Sequence, residues 1–139
     1  MPNSAVHPNI VKVLLVEDHA VVREGLVSLI GFLPECSLVG AVGSGAEALS
    51  AVRALRPDVL LLDIHLPDMS GLEVLRRLRA THDAPATLVL TSSDSDHTIR
   101  QALALGARGY FLKGGGAEAL AEALQCVSLG GRYLSPGGQ

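Results

Sequence analysis

Pro57-Asp58-Val59-Leu60-Leu61-Leu62-Asp63-Ile64-His65-Leu66-Pro67-Asp68-Met69-Ser70-Gly71 is the stretch on which the reading of this chain turns. Val59 to Leu62 is an unbroken aliphatic run without polar alternation, the pattern of a strand covered on both faces. The run stops at a carboxylate, Asp63, and gives way to a loop carrying Pro67 and Gly71. In open α/β sheets ligands bind beyond the carboxyl ends of such strands. Asp63 therefore stands where chemistry is done.

Three more apolar runs end in polar groups. Val11-Lys12-Val13-Leu14-Leu15-Val16 ends in Glu17-Asp18, Ala86-Thr87-Leu88-Val89-Leu90 ends in Thr91-Ser92, and Arg108-Gly109-Tyr110-Phe111-Leu112 ends in Lys113. Parallel strands would bring these acids, hydroxyls and the amine to one edge.

Helical patterns separate the strands. Val22, Leu26, Leu29, Ile30 and Leu33 recur at three- and four-residue spacing and predict a helix over 19–33, ended by Pro34. A second strand over 37–42 leads through Gly43-Ser44-Gly45 into a helix that Pro57 closes. Further helices are predicted over 71–79, from a cap at Asp94 or Ser95 to Leu105 with Gly106 behind it, and over 117–129. Five strands alternating with five helices give a (βα)5 α/β fold, a doubly wound parallel five-stranded sheet.

Composition supports one well-buried domain. Of 139 residues, 48% are apolar and 18% charged, and the scarcity of aromatic residues (3%) leaves Val, Leu, Ile and Ala to fill the core. A net charge of −3 gives no general attraction to nucleic-acid phosphates. Arg76, Arg77 and Arg79 read as one solvated helix face. Cys36 and Cys126 lack CxxC spacing and read as core residues, and no long apolar span occurs, so a reduced, cytoplasmic protein without membrane attachment is expected.

Together the strings VLLVEDHAVVREGL, PDVLLLDIHLPDMSGLEVLRRL, LVLTSS and GARGYFLKGG resemble the receiver domain of two-component response regulators, and the GGRYLSP ending is similar to the NarL/LuxR-type branch. The likeness implies the flavodoxin-like strand order 2-1-3-4-5. It divides the chain into a flexible N-terminus (1–9), a receiver domain (10–130) and the start of a linker (131–139). In that branch the linker leads to a helix-turn-helix domain, which these residues do not contain, so the chain reads as a single-domain regulator or, the favoured reading, as a piece of a longer one that reaches DNA only through the missing domain.

The resemblance also implies residue roles. Asp63 is the phosphoacceptor, taking a phosphoryl group from a phosphohistidine of a sensor histidine kinase. Asp18 and Asp63 are direct ligands of Mg2+, Glu17 acts through water, and the backbone carbonyl of His65 completes the set. Lys113 and Thr91 contact the phosphoryl group, and Thr91 and Tyr110 form the switch. The chain is then not an enzyme in the usual sense, since it catalyses only its own phosphorylation and dephosphorylation, and it controls an attached or partner output, namely transcription. Homodimerisation on phosphorylation is expected.

The residue types fit those roles. A carboxylate is a competent nucleophile toward a phosphoryl group, and clustered carboxylates repel one another unless a cation is present. Lys113 offers a mobile point charge. Read alone, Glu17-Asp18 could equally cap a helix N-terminus. Gly114, where many receivers place a proline, begins a Gly114-Gly115-Gly116 run that leaves the setting of Lys113 permissive. Ser93 brings no carboxylate or amide to orient water, which predicts slow self-hydrolysis. A haloacid-dehalogenase phosphatase would want an aspartate where His65 stands. A nucleotide or flavin module would want GxGxxG, whereas Gly40, Gly43 and Gly45 give GxxGxG. A degenerate receiver would lack one of the acids or the lysine.

Overall fold

Residues 10–134 are described by a computed structural model. Its strands are β1 (Val11–Val16), β2 (Cys36–Val42), β3 (Val59–Asp63), β4 (Ala86–Thr91) and β5 (Gly109–Leu112), and its helices are α1 (Ala20–Gly31), α2 (Gly45–Leu55), α3 (Gly71–Ala80), α4 (Thr98–Ala104) and α5 (Ala117–Ser128). The strands form one parallel sheet in the order β2-β1-β3-β4-β5, the expected doubly wound arrangement.

Alternation along each strand divides the core in two. Val13, Leu15, Val59, Leu61, Leu88, Leu90 and Phe111 pack with α1 and α5 on one face. Leu14, Val16, Leu60, Leu62 and Val89 pack with α2, α3 and α4 on the other. This two-sided covering is why β3 has no polar alternation: Val59, Leu60, Leu61 and Leu62 are all fully buried. Burying one such side chain is worth roughly 1.5–3 kcal/mol, so four in succession hold the strand that carries Asp63 firmly in register.

Caps set the helix starts on the site side of the sheet. Ser44 accepts from Glu47 N (3.2 Å), while Glu47 Oε1 accepts from Gly43 N and the Ser44 hydroxyl (both 3.1 Å), a variant of the capping box shifted back by one residue. Ser70 accepts from Leu72 N and Glu73 N at the start of α3. Arg76 and Arg77 pair with Glu73 on the exposed face of α3, and Arg79 donates to the carbonyl of Ala104.

Several boundaries differ from expectation. α1 stops at Gly31 before Pro34 is reached, because the Phe32 and Leu33 amides bond back three residues to Leu29 O and Ile30 O, tightening the last turn. α4 is not capped by Asp94 or Ser95. The Ser95 and Ser93 hydroxyls bond one another (2.7 Å), and Asp96 Oδ1 instead accepts from Thr98 N and Thr98 Oγ1. Cys36 and Cys126 are free and only half-buried against the α1/α5-side core. Burial, with help from Glu35, pushes the Cys36 thiol up to about 11.

Beyond α5 the chain turns at Gly130 and lays Tyr133 beside β5. Tyr133 N donates to Arg108 O (2.9 Å), and Tyr110 N donates to Tyr133 O (3.0 Å). The approach is close enough that a Cβ on Gly109 would run into the Tyr133 carbonyl. The ring of Tyr133 is buried in the α1/α5-side core. The segment 1–9, read as flexible, lies outside the described residues, as do residues 135–139 of the segment 131–139 read as the start of a linker. Among the described residues no helix is long and apolar enough to cross a membrane.

Candidate functional site

Strand register brings the site together. The alternation that points Val13 and Leu15, Val59 and Leu61, and Phe111 at the α1/α5 side places Glu17, Asp63 and Lys113 on that same side at the carboxyl edge. The ladder runs on past β1 and β5, since Glu17 N bonds Val42 O (3.0 Å) and Lys113 N bonds Thr91 O (2.9 Å). Lys113 Nζ lies 2.9 Å from Glu17 Oε1 and 3.0 Å from Asp63 Oδ2. The glycine run after Lys113 therefore does not dislodge it. Gly115 N bonds back to Leu112 O, and Gly115 packs against the Phe111 ring with no room for a Cβ.

Burial makes this arrangement costly for the acids. Glu17 is 0% and Asp63 1% exposed, and a carboxylate taken from water persists only when paired and hydrogen-bonded. Asp63 meets both conditions, with Lys113 on Oδ2 and the His65 amide on Oδ1 (2.9 Å). Glu17 meets them in part. Its Oε2 accepts from His19 N (3.0 Å), while Oε1 has the lysine charge nearby but no aligned hydrogen bond. Burial alone would lower the Lys113 pKa, but its contacts with Glu17 and Asp63 outweigh that and hold it above the ordinary lysine value.

Asp18 and His19 complete the acidic corner. One ligand atom from each of Glu17, Asp18 and His19 lies within 4.8 Å of the others. The acid pair does not occupy the cap of α1: that position is His19, whose own side chain makes no capping bond, and Glu17 reaches the helix end only through the His19 amide. Arg23, one turn into α1, donates through Nη1 to the carbonyls of Glu17 (2.7 Å) and Asp18 (3.3 Å). Nothing in the sequence singled it out.

The β3–α3 loop is shaped by Gly71 and Asp68. Gly71 N bonds Ile64 O (2.7 Å), and a Cβ at Gly71 would lie 2.7 Å from the Asp63 carbonyl and 2.9 Å from Ile64 Cα, both backbone, so only glycine fits. Asp68 accepts from Gly45 N and Ala46 N, tying the loop to the start of α2, and those backbone donors hold its carboxyl below the usual range.

Thr91 and Tyr110 are placed differently. Thr91 follows Val89 and Tyr110 toward the α2–α4 side. It is buried, and its hydroxyl donates to Ser93 O (3.0 Å) within its own loop rather than to Asp63. Tyr110 is half-buried against the same cluster. Across the mouth, His65 Nε2 meets Asp96 Oδ2 at 3.1 Å, a link the sequence did not disclose. The Thr98 hydroxyl and amide, with His65 adding to them, lower the Asp96 carboxyl to about 2.

A family profile described as "Response regulator receiver domain" matches residues 13–125. The chain belongs to that family. The receiver is 46% identical over 124 residues to the DNA-binding transcriptional activator DevR/DosR of Mycobacterium tuberculosis, a match covering 89% of this chain and 57% of that protein. Among solved structures it is similar to the receiver domain of the response regulator NarL from M. tuberculosis (32% identity, TM-score 0.83, 88% of this chain and 99% of that one). It is also similar to a LuxR-family two-component response regulator from Aurantimonas sp. (30% identity, TM-score 0.84, 92% and 91%). The expected fold and NarL/LuxR-type branch are thus both found. The receiver spans about three-fifths of the length of curated relatives such as the B. subtilis regulator YdfI, where the share is 58%.

Proposed function

We propose that Asp63 is the phosphoacceptor of this receiver and takes its phosphoryl group from the phosphohistidine of a sensor histidine kinase. The observation that carries the reading is the ammonium of Lys113 set between the buried carboxylates of Asp63 and Glu17, beside Asp18. In the transfer a carboxylate oxygen of Asp63 bonds to phosphorus as the P–N bond to the kinase histidine breaks, the electron pair leaving with the imidazole nitrogen. Such transfer depends on positioning and on neutralising charge rather than on covalent help from the protein.

The residues divide that work. Lys113 moves its charge from the Asp63 carboxylate to a phosphoryl oxygen. The buried, incompletely satisfied Glu17 together with Asp18 and Asp63 forms a hard oxygen-donor set suited to Mg2+, with the His65 carbonyl as a further ligand and Glu17 acting through water. Bound there, Mg2+ would neutralise the acids and the incoming phosphoryl oxygens. Thr91 gives up Ser93 O to donate to the phosphoryl group, and Tyr110 takes the space vacated, a two-state element biased by local charge.

Phosphorylation in turn controls an attached or partner output, transcription, with homodimerisation of the modified receiver in the cytoplasm. The receiver catalyses only its own phosphorylation and dephosphorylation, and Ser93 makes the latter slow. Intact-mass spectrometry after incubation with Mg2+ and a small-molecule phosphodonor tests the reading. A gain of one phosphoryl group that disappears in Asp63→Asn and on chelation is expected. A folded wild-type protein that gains nothing overturns it.

A further inference from the structure

Resting on the reading of Glu17, Asp18 and Asp63 as the acids of a Mg2+-dependent phosphoacceptor site, we infer that Arg23 is the positioning residue of the acid pair. Neighbouring residues of an extended chain point to opposite faces, so two consecutive acids serve one site only if the backbone turns between them. The carbonyls of Glu17 and Asp18 lie beyond the end of β1, and such groups need donors if they are not to be left wanting.

Arg23 supplies them. Its Nη1 donates to Glu17 O at 2.7 Å and reaches Asp18 O at 3.3 Å, so one guanidinium spans both peptide groups. Both contacts come from one terminal nitrogen, which the arginine stem carries further than lysine would carry its ammonium. Arg23 rides on the first turn of α1, and its amide bonds His19 O (2.8 Å), so the arginine is tied by its backbone to the residue that follows the acid pair.

The other wall is Gly43. A Cβ there would sit 3.1 Å from Arg23 Nη1 and 3.7 Å from the Glu17 carbonyl oxygen, closer to the guanidinium than an ordinary contact. Glycine at the end of β2 leaves the space through which Arg23 reaches its carbonyls. Arg23 touches neither Asp63 nor Lys113 through a hydrogen bond or ion pair found among the described residues. It therefore acts on metal affinity through the acids and not on the transfer itself.

Titration calorimetry with MgCl2 and the phosphorylation rate as a function of Mg2+ test the assignment on the whole chain. Arg23→Met is expected to weaken Mg2+ binding about tenfold, the scale found for residues that orient metal ligands, with the rate at saturating Mg2+ little changed. Arg23→Lys falls between it and wild type. Arg76→Met, on the exposed face of α3, serves as the control and leaves both readouts alone. Should Arg23→Met fail to fold, Gly43→Ala carries the test: it keeps the arginine but crowds it, and shifts Mg2+ affinity in the same direction by a smaller factor. A folded Arg23→Met protein that binds Mg2+ as wild type does overturns the inference. A wild type that takes no phosphoryl group fails the functional reading instead.

Discussion

On one side of the candidate site the buried Glu17 and Asp63 and the half-buried Lys113 continue their strands, joined by contacts of 2.9 and 3.0 Å. On the other, Thr91, Ser93, Ser95 and Asp96 bond chiefly within the β4–α4 loop, and α4 is only seven residues long. The first side is held by the register of a sheet buried on both faces, and the second by short polar contacts near solvent. Under the proposed function, the groups that meet phosphorus in fixed geometry lie on the first, and the groups that move on modification lie on the second.

Substitutions can break this contrast. Lys113→Met leaves two buried carboxylates without their cation, which is expected to cost about 3 kcal/mol in urea unfolding at neutral pH. A cost below 1 kcal/mol would show that the lysine is not what permits their burial. Gly71→Ala, whose Cβ would press on the Asp63 carbonyl and Ile64 Cα, is expected to destabilise by about 2 kcal/mol and to slow phosphoryl uptake. Unchanged stability would mean the loop has more give than its backbone contacts imply.

The loop side should respond more weakly. Thr91→Ala removes a hydroxyl bonded only to its own loop, so a loss of about 1 kcal/mol or less is expected, with phosphoryl uptake retained. The Tyr110 ring should shift its NMR resonances with a beryllium fluoride mimic in wild type and not in Thr91→Ala. Equal shifts in both proteins would separate Tyr110 from Thr91.

Asp96→Asn should have the smallest effect. The Asp96 carboxyl is held at about 2 in the folded protein, below its ordinary value. Its contribution is therefore complete above that ordinary value and is lost as pH falls through about 2. Solvent screening keeps it under about 1 kcal/mol. The melting-temperature difference between wild type and Asp96→Asn should shrink as pH is lowered from 5 toward 2, and a difference that grows would reverse the sign argued here.

The same contrast separates what could be read in the sequence from what could not. Aliphatic runs announce their own ends, so Asp63, the Glu17-Asp18 pair, Thr91 and Lys113 were identifiable once the strands were taken as parallel. Alternation then carries Glu17, Asp63 and Lys113 to one side. The cap of α4 was misplaced because the helix starts later than its polar run suggests: His97 holds the cap position without a side-chain bond, and Asp96, just before it, accepts from Thr98. Arg23 and the His65–Asp96 link depend on where side chains end up after folding, six and thirty-one residues along the chain. No local pattern of residue types marks such pairs.

The segment laid beside β5 bears on how the domain can be cut. β5 has four residues, and its outer edge is covered by Tyr133, which receives Tyr110 N and donates to Arg108 O. Ending an expressed piece before Arg132 would strip that cover and present bare amide and carbonyl groups next to apolar side chains, a template on which further copies could add strand by strand. Such a shortened protein should show self-association by light scattering, whereas one ending after Leu134 keeps its edge closed.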